Sequence, residues 1–230
     1  MAFISLGVGF AFKLQTVFIV PFFVYYYFKE KQYSILNFVI ILVTDYFLCV
    51  PGFIFGRTLL DPIRIYFSQT NTYEYMYMNF PSVWGIIGNS YVSMKNWAIL
   101  LTIAILGMGL MFILENKFSI QGKNFVYISV WTLWTVLLFL PAMHERYSYA
   151  LDILLVVIVF LDIRFLKISI IAIIASTMTY GSYLFSTGID CRRISIFYLA
   201  VYFYYSYMLL AGKKSALLRD SESSVAPEQS

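Results

Sequence analysis

The feature that most limits how this chain can fold is a series of long apolar runs, each closed by a short charged or polar break. About seven of them reach the roughly 17–25 residues that a membrane-crossing helix needs. They fall at 3–28, 34–56, 97–115, 124–142, 149–165, 167–187 and 195–212. Lys29-Glu30-Lys31-Gln32 separates the first two, Glu115 to Asn124 the third and fourth, and Asp162 to Lys167 the fifth and sixth. Strand-like alternation is absent, and the runs far exceed the roughly 10 residues of a barrel strand. Charged residues make up 12% of the chain, against about 25% in a soluble domain. The expected fold is all-α: a polytopic transmembrane helix bundle in the cell membrane, a single domain over 1–212 with an external loop at 57–96. The polar segment 213–230 cannot bury an apolar face and is expected to be a disordered cytoplasmic tail.

The basic residues orient the bundle. One side carries Lys29, Lys31, Lys117, Lys123, Arg164, Lys167, Lys213, Lys214 and Arg219. The other carries Arg57, Arg64, Lys95, Arg146, Arg192 and Arg193, while Lys13 lies inside the first run. The richer side is expected to be cytoplasmic, with the N-terminus out and the C-terminus in. The net charge of +4 comes from residues spread in pairs at run ends, which gives no block for nucleic acid. The first run lacks a basic start and a small-residue cleavage site, so no cleavable signal peptide is expected. Cys49 and Cys191 do not make a disulfide framework, and two buried thiols is the favoured reading.

Three features carry candidate chemistry. The external loop opens with Asp61 and Pro62, a helix-starting pair, and the residues that follow form a short helix at the membrane surface. Gln69, Tyr73, Asn79 and Trp84 come after it. They are either aromatic interfacial anchors in a plain loop, which composition favours, or amides and rings converging on a sugar. The second feature is Pro141-Ala142-Met143-His144-Glu145-Arg146-Tyr147. The chain's single histidine is followed by an acid and a guanidinium, whose planar fork matches phosphate. His144 and Glu145 can position or accept protons, but with no second histidine the pair makes no zinc set. The alternative is a plain polar turn. The third feature is Lys13 and Gln15 within an apolar run, where they face a cavity or snorkel to the interface. Asp45 is the other charge at membrane depth, and a Lys13–Asp45 pair would offset two desolvation costs. Asp152 either points back to the His144 turn or caps its helix.

Taken together, these segments resemble bacterial membrane glycosyltransferases of the GT-C superfamily. The group they are most similar to is the mannosyltransferases related to the glycosylphosphatidylinositol mannosyltransferase. Pro141, Met143 to Tyr147 and Asp152 resemble its "PxMHERYxxxxD" region. Lys13-Leu14-Gln15 with Pro21 resembles its "KLQ…P" helix, and Ile65-Tyr66, Gln69, Tyr73, Asn79, Pro81 and Trp84 resemble its external loop. Ser82 and Ala142 depart from the group's commoner residues. The resemblance covers roughly residues 8–165. It implies transfer of a sugar from a polyprenyl-phosphate donor to a glycan or glycolipid acceptor on the external face, with no cofactor or metal. Arg146 would meet the donor phosphate, with His144, Glu145, Tyr147, Lys13 and Gln15 around it. The superfamily's catalytic carboxylate lies in an early external loop that has no counterpart here. This leads to the expectation of a C-terminal portion that works with a partner subunit. Two alternatives stay open. One is a non-catalytic subunit or flippase component that handles lipid-linked sugars. The other is a small-solute transporter.

Overall fold

The structure is a computed structural model. It describes residues 1–70, 73–88, 90–116 and 119–225, with side chains for all of these except 67, 69, 70 and 212–225. Helix α1 (Ala2–Phe12) stops at Lys13, whose backbone is extended at φ −155° and ψ 117°. A 3-10 segment, Leu14–Ile19, leads into α2 (Val20–Glu30), with Pro21 in its first turn.

The chain reverses at Lys13. A Cβ on Gly9 would touch Thr16. The Phe3 ring lies 5.7 Å from Phe23 and 4.9 Å from Tyr33. Residues 9 and 16, and 3 and 23, are therefore level across a bend near residue 13. This corrects the expectation of one continuous helix over 3–28. The apolar pattern continues through the bend, so hydropathy does not register the broken dihedral. It also brings the start of α1 to the Tyr33 end of the bundle, away from the external end expected for the N-terminus.

Helix α3 (Asn37–Leu48) lies along α1 in the same direction. Phe38 meets Phe3, and Ile41 and Thr44 meet Gly7. The run 34–56 is also interrupted: α3 ends at Cys49, and α4 (Val50–Ile54) starts anew with Pro51 in its first turn. The segment that follows holds α5 (Asp61–Thr70), a two-residue strand β1 (Tyr77–Met78) and α6 (Val83–Ile87). Helix α7 (Tyr91–Glu115) then returns through the bundle to α8 (Lys123–Phe139). Strand β2 (Met143–His144) and a 3-10 turn, Glu145–Ser148, precede α9 (Tyr149–Leu161). The turn at 163–165 leads to α10 (Leu166–Phe185), and α11 (Cys191–Val225) closes the chain. Helix α11 continues into 213–225, where composition points to disorder. Lys, Ala, Leu, Arg and Glu there are good helix formers.

Helix α8 is the centre. Its Val130, Leu133, Trp134 and Leu137 pack with Leu151 and Leu155 of α9, Ala172 of α10 and the tyrosines of α11. Trp134 lies 5.3 Å from Tyr198 and 5.7 Å from Tyr205, ring to ring. Among the described residues, three helices are long and apolar enough to cross a membrane: Tyr91–Glu115, Ile163–Phe185 and Cys191–Ala211. Ala2–Phe12, Asn37–Leu48 and Lys123–Phe139 are apolar but shorter. Large apolar side chains such as Trp97, Phe160 and Phe197 face outward.

The connections gather at two ends. At one, Glu30 accepts hydrogen bonds from Ser119 Oγ at 3.0 Å and Gln121 Nε2 at 2.7 Å, and Asp162 binds Arg164 and the Tyr127 hydroxyl. At the other, Trp84 Nε1 donates to Phe139 O at 2.9 Å, and Cys191 lies against Asn79 and Phe80. Both cysteines are free thiols.

Candidate functional site

The site begins where α8 must stop. Pro141 follows Leu140, whose backbone is already extended, because the residue before a proline disfavours the helical region. Ala142 then takes φ 59° and donates its N–H to Met76 O at 2.9 Å. The next two residues form β2, which pairs in parallel with β1: Met143 with Tyr77 and His144 with Met78. Asn79, at φ 58°, turns back and bridges to His144 from the other sense. Two segments more than 60 residues apart are thus hydrogen-bonded at one point. After His144 the 3-10 turn closes with Ser148 Oγ donating to Glu145 O at 3.1 Å.

His144 is 7% exposed and Glu145 2%. Nδ1 of His144 lies 3.9 Å from Glu145 Oε2, and neither His144 Nε2 nor Glu145 Oε2 has a hydrogen-bond partner among the described residues. The edges of two tyrosines flank the imidazole: Tyr73 at 4.9 Å and Tyr147 at 5.1 Å. Gln15 stands beside the Tyr147 hydroxyl, whose ring lies 5.8 Å from the Phe18 ring. Burial pushes the Tyr147 hydroxyl up, while Gln15 and Arg146 pull it down. Burial lowers the His144 pKa, the Arg146 charge lowers it further, and Glu145 opposes both. Arg146 is exposed, and no carboxylate pairs with it among the described residues. A neutral imidazole and a buried carboxylate therefore sit directly behind an open guanidinium.

The other expected residues divide. Gln15, Tyr73 and Asn79 join the turn. Trp84 is buried with Met76, Tyr91 and Ala98, its N–H spent on Phe139 O, so it braces the site from below. Asp152 faces α10: Ser176 Oγ donates to its Oδ2 at 2.9 Å and Ser148 stands beside it, while its Oδ1 has no hydrogen-bond partner among the described residues. It anchors the base of the turn. The Gln69 side chain lies outside the described residues. Lys13, two residues before Gln15, lines a separate cavity with Arg57. Asp45 is buried and accepts the Tyr66 hydroxyl at 2.8 Å, a neutral partner in place of the lysine that the sequence proposed. Sequence reasoning missed Phe18, which follows Gln15 at a helical spacing, and Arg57, marked only by the Gly56 before it.

Comparison of the chain with protein-family models, with curated proteins and with solved structures finds no match.

Proposed function

We propose that this chain is a GT-C-like membrane glycosyltransferase, or its donor-binding part. It would transfer a sugar, mannose on the resemblance, from a polyprenyl-phosphate donor to a glycan or glycolipid acceptor. One observation carries the reading. Three segments that are far apart in sequence and separately resemble that group meet at one turn: Gln15 on Tyr147, Tyr73 on His144, and Asn79 bridged to His144. Arg146 is open beside them and offers a bidentate fork for a phosphate. Tyrosine rings and amides suit a sugar's apolar faces and hydroxyls.

The proposed setting is a multi-pass protein of the cell membrane with about seven spans. Its support is that the helical passes from α2 onward run between two ends, one rich in lysine and one holding the His144 turn. The lysine-rich end would be cytoplasmic.

A second reading is a non-catalytic handler of lipid-linked sugars. Of the two carboxylates near the turn, Glu145 is only 2% exposed and Asp152 accepts Ser176 on α10, so neither opens to the face that Arg146 presents. The test uses the full chain in nanodiscs with a polyprenyl-phosphate sugar. The expected result is binding that falls about tenfold or more in Arg146→Ala, the loss of a charged hydrogen bond. Unchanged binding in that variant would sink the proposal. Binding without turnover in the presence of acceptor selects the second reading.

A further inference from the structure

A cavity lined by none of the His144-turn residues opens at the bend that precedes Gln15. It holds about 410 Å³, within the roughly 300–1,000 Å³ range of small-molecule sites. Its walls come from the bend at Lys13, the end of α3, α4 and the start of α5. Two cations line it, Lys13 and Arg57. Lys13 is presented at the tip of the α1–α2 hairpin by its extended backbone. Arg57 is presented by Gly56, whose φ of 96° ends α4 and folds the chain back so that Arg57 N–H donates to Gly52 O at 3.0 Å.

The nearby carboxylates are already engaged. Asp61, which also lines the cavity, accepts Thr58 N–H and Oγ–H at 2.8 Å each and lies 3.9 Å from Arg64. Asp45 accepts the Tyr66 hydroxyl at 2.8 Å. Among the described residues neither Lys13 nor Arg57 has an ion-pair partner within 4.0 Å. Asp61 also feels the Arg57 charge, so two cations and one carboxylate line the pocket, which keeps a net positive charge. The surround is apolar: Phe10, Leu14, Leu48 and Phe53 complete the walls, while Phe12, which also lines it, is 83% exposed. A charged cradle with apolar walls and an outward phenyl ring matches an anion attached to a hydrocarbon chain more closely than it matches a free ion.

We infer that the Lys13–Arg57 cavity binds the phosphate headgroup of an anionic membrane lipid, at a site separate from the His144 turn. Arg57 meets the phosphate oxygens through its fork, and Lys13 supplies a second, mobile charge. The lipid's chains run along Phe12. This inference does not depend on the glycosyltransferase reading.

The experiment is native mass spectrometry of the full chain with phosphatidylglycerol, phosphatidylcholine and inorganic phosphate. Phosphatidylglycerol is expected to bind at least tenfold more tightly than phosphatidylcholine. Arg57→Gln and Lys13→Gln should each weaken it by about tenfold, while Arg64→Gln and Arg146→Ala leave it unchanged. Equal binding of the two lipids, or retention in both cavity variants, overturns the inference. Inorganic phosphate that competes at concentrations matching the lipid overturns the lipid assignment. If Lys13→Gln disturbs the bend, seen as a lower melting temperature without lipid, Lys13→Arg should keep both the fold and the lipid. Loss of lipid in that variant would count against the site. Failure of the glycosyltransferase reading would appear separately, as donor binding that ignores Arg146→Ala.

Discussion

His144 is where burial and charge act most directly on one residue. Its ring is enclosed by Tyr73 and Tyr147, and burial together with Arg146 depresses its pKa below the ordinary 6.5. A histidine depressed in the folded state binds fewer protons than it does in the unfolded chain. Its contribution to stability is therefore complete above the unfolded value and is lost as pH falls through the folded one. The melting temperature is expected to drop between pH 7 and pH 5 by more in the wild type than in His144→Gln, a variant that cannot titrate. Parallel curves for the two proteins would contradict this. Ala142 offers a second residue-level test. Its φ of 59° is left-handed, a region that costs a residue with a Cβ about 1–2 kcal/mol. Glycine removes that strain and adds freedom to the unfolded chain. Ala142→Gly should therefore be neutral or stabilising by up to about 1 kcal/mol, where an ordinary alanine-to-glycine change destabilises. Thermal unfolding in detergent reads the sign. The sequence made His144, Glu145, Arg146 and Gln15 visible because polar groups are rare in apolar surroundings. It did not separate Trp84 and Asp152 from them, since a buried anchor and a ligand contact use the same residue types.

At the level of elements, the close approach of α1 and α3 depends on one residue. A Cβ on Gly7 would lie 2.5 Å from Thr44 Cβ and 2.8 Å from Ile41 O. The first neighbour is a Cβ, which every residue but glycine carries. The second is backbone and can yield only if a helix moves. Gly7→Ala is expected to destabilise by about 1–3 kcal/mol, the usual cost of overpacking. Adding Thr44→Ala removes only the Cγ2 contact at 3.0 Å and should recover little, because Thr44 Cβ and the Ile41 carbonyl both stay. Full recovery would mean that α1 and α3 pack more loosely than these contacts require. Unfolding curves of the two variants decide it. The helices themselves were legible from their apolar runs, and α5 from Asp61 and Pro62. The breaks were not. Lys13 is extended and Cys49 ends α3, yet the residues on each side remain apolar and offer no change of pattern. The β1–β2 pairing was equally hidden, because two residues on each strand are too few to show a period.

For the whole molecule, the bend at Lys13 decides where the chain starts relative to its two ends. A continuous helix over 3–28 would hold residues 3 and 23 about 30 Å apart, at 1.5 Å per residue. The folded hairpin brings the Phe3 and Phe23 rings to 5.7 Å. These alternatives are far enough apart for a covalent test. Cys49 and Cys191 are free, so replacing both with serine gives a background without thiols. Phe3→Cys with Phe23→Cys in that background should cross-link readily under mild oxidation and revert on reduction. A second pair, Phe3→Cys with Phe38→Cys, tests α1 against α3, whose rings lie 5.2 Å apart. A continuous first helix allows the second pair to form and forbids the first, because residue 38 is carried on a different helix. Cross-linking of both pairs establishes the hairpin. It also puts residue 3 at the same end as Tyr33 and the Glu30 clamp, so that Lys13 reaches the opposite end as the tip of a hairpin, on its way to neither membrane face as part of a span. An exclusive α1–α3 link would return Lys13 to the middle of a helix. The cavity it shares with Arg57 would then have no second wall.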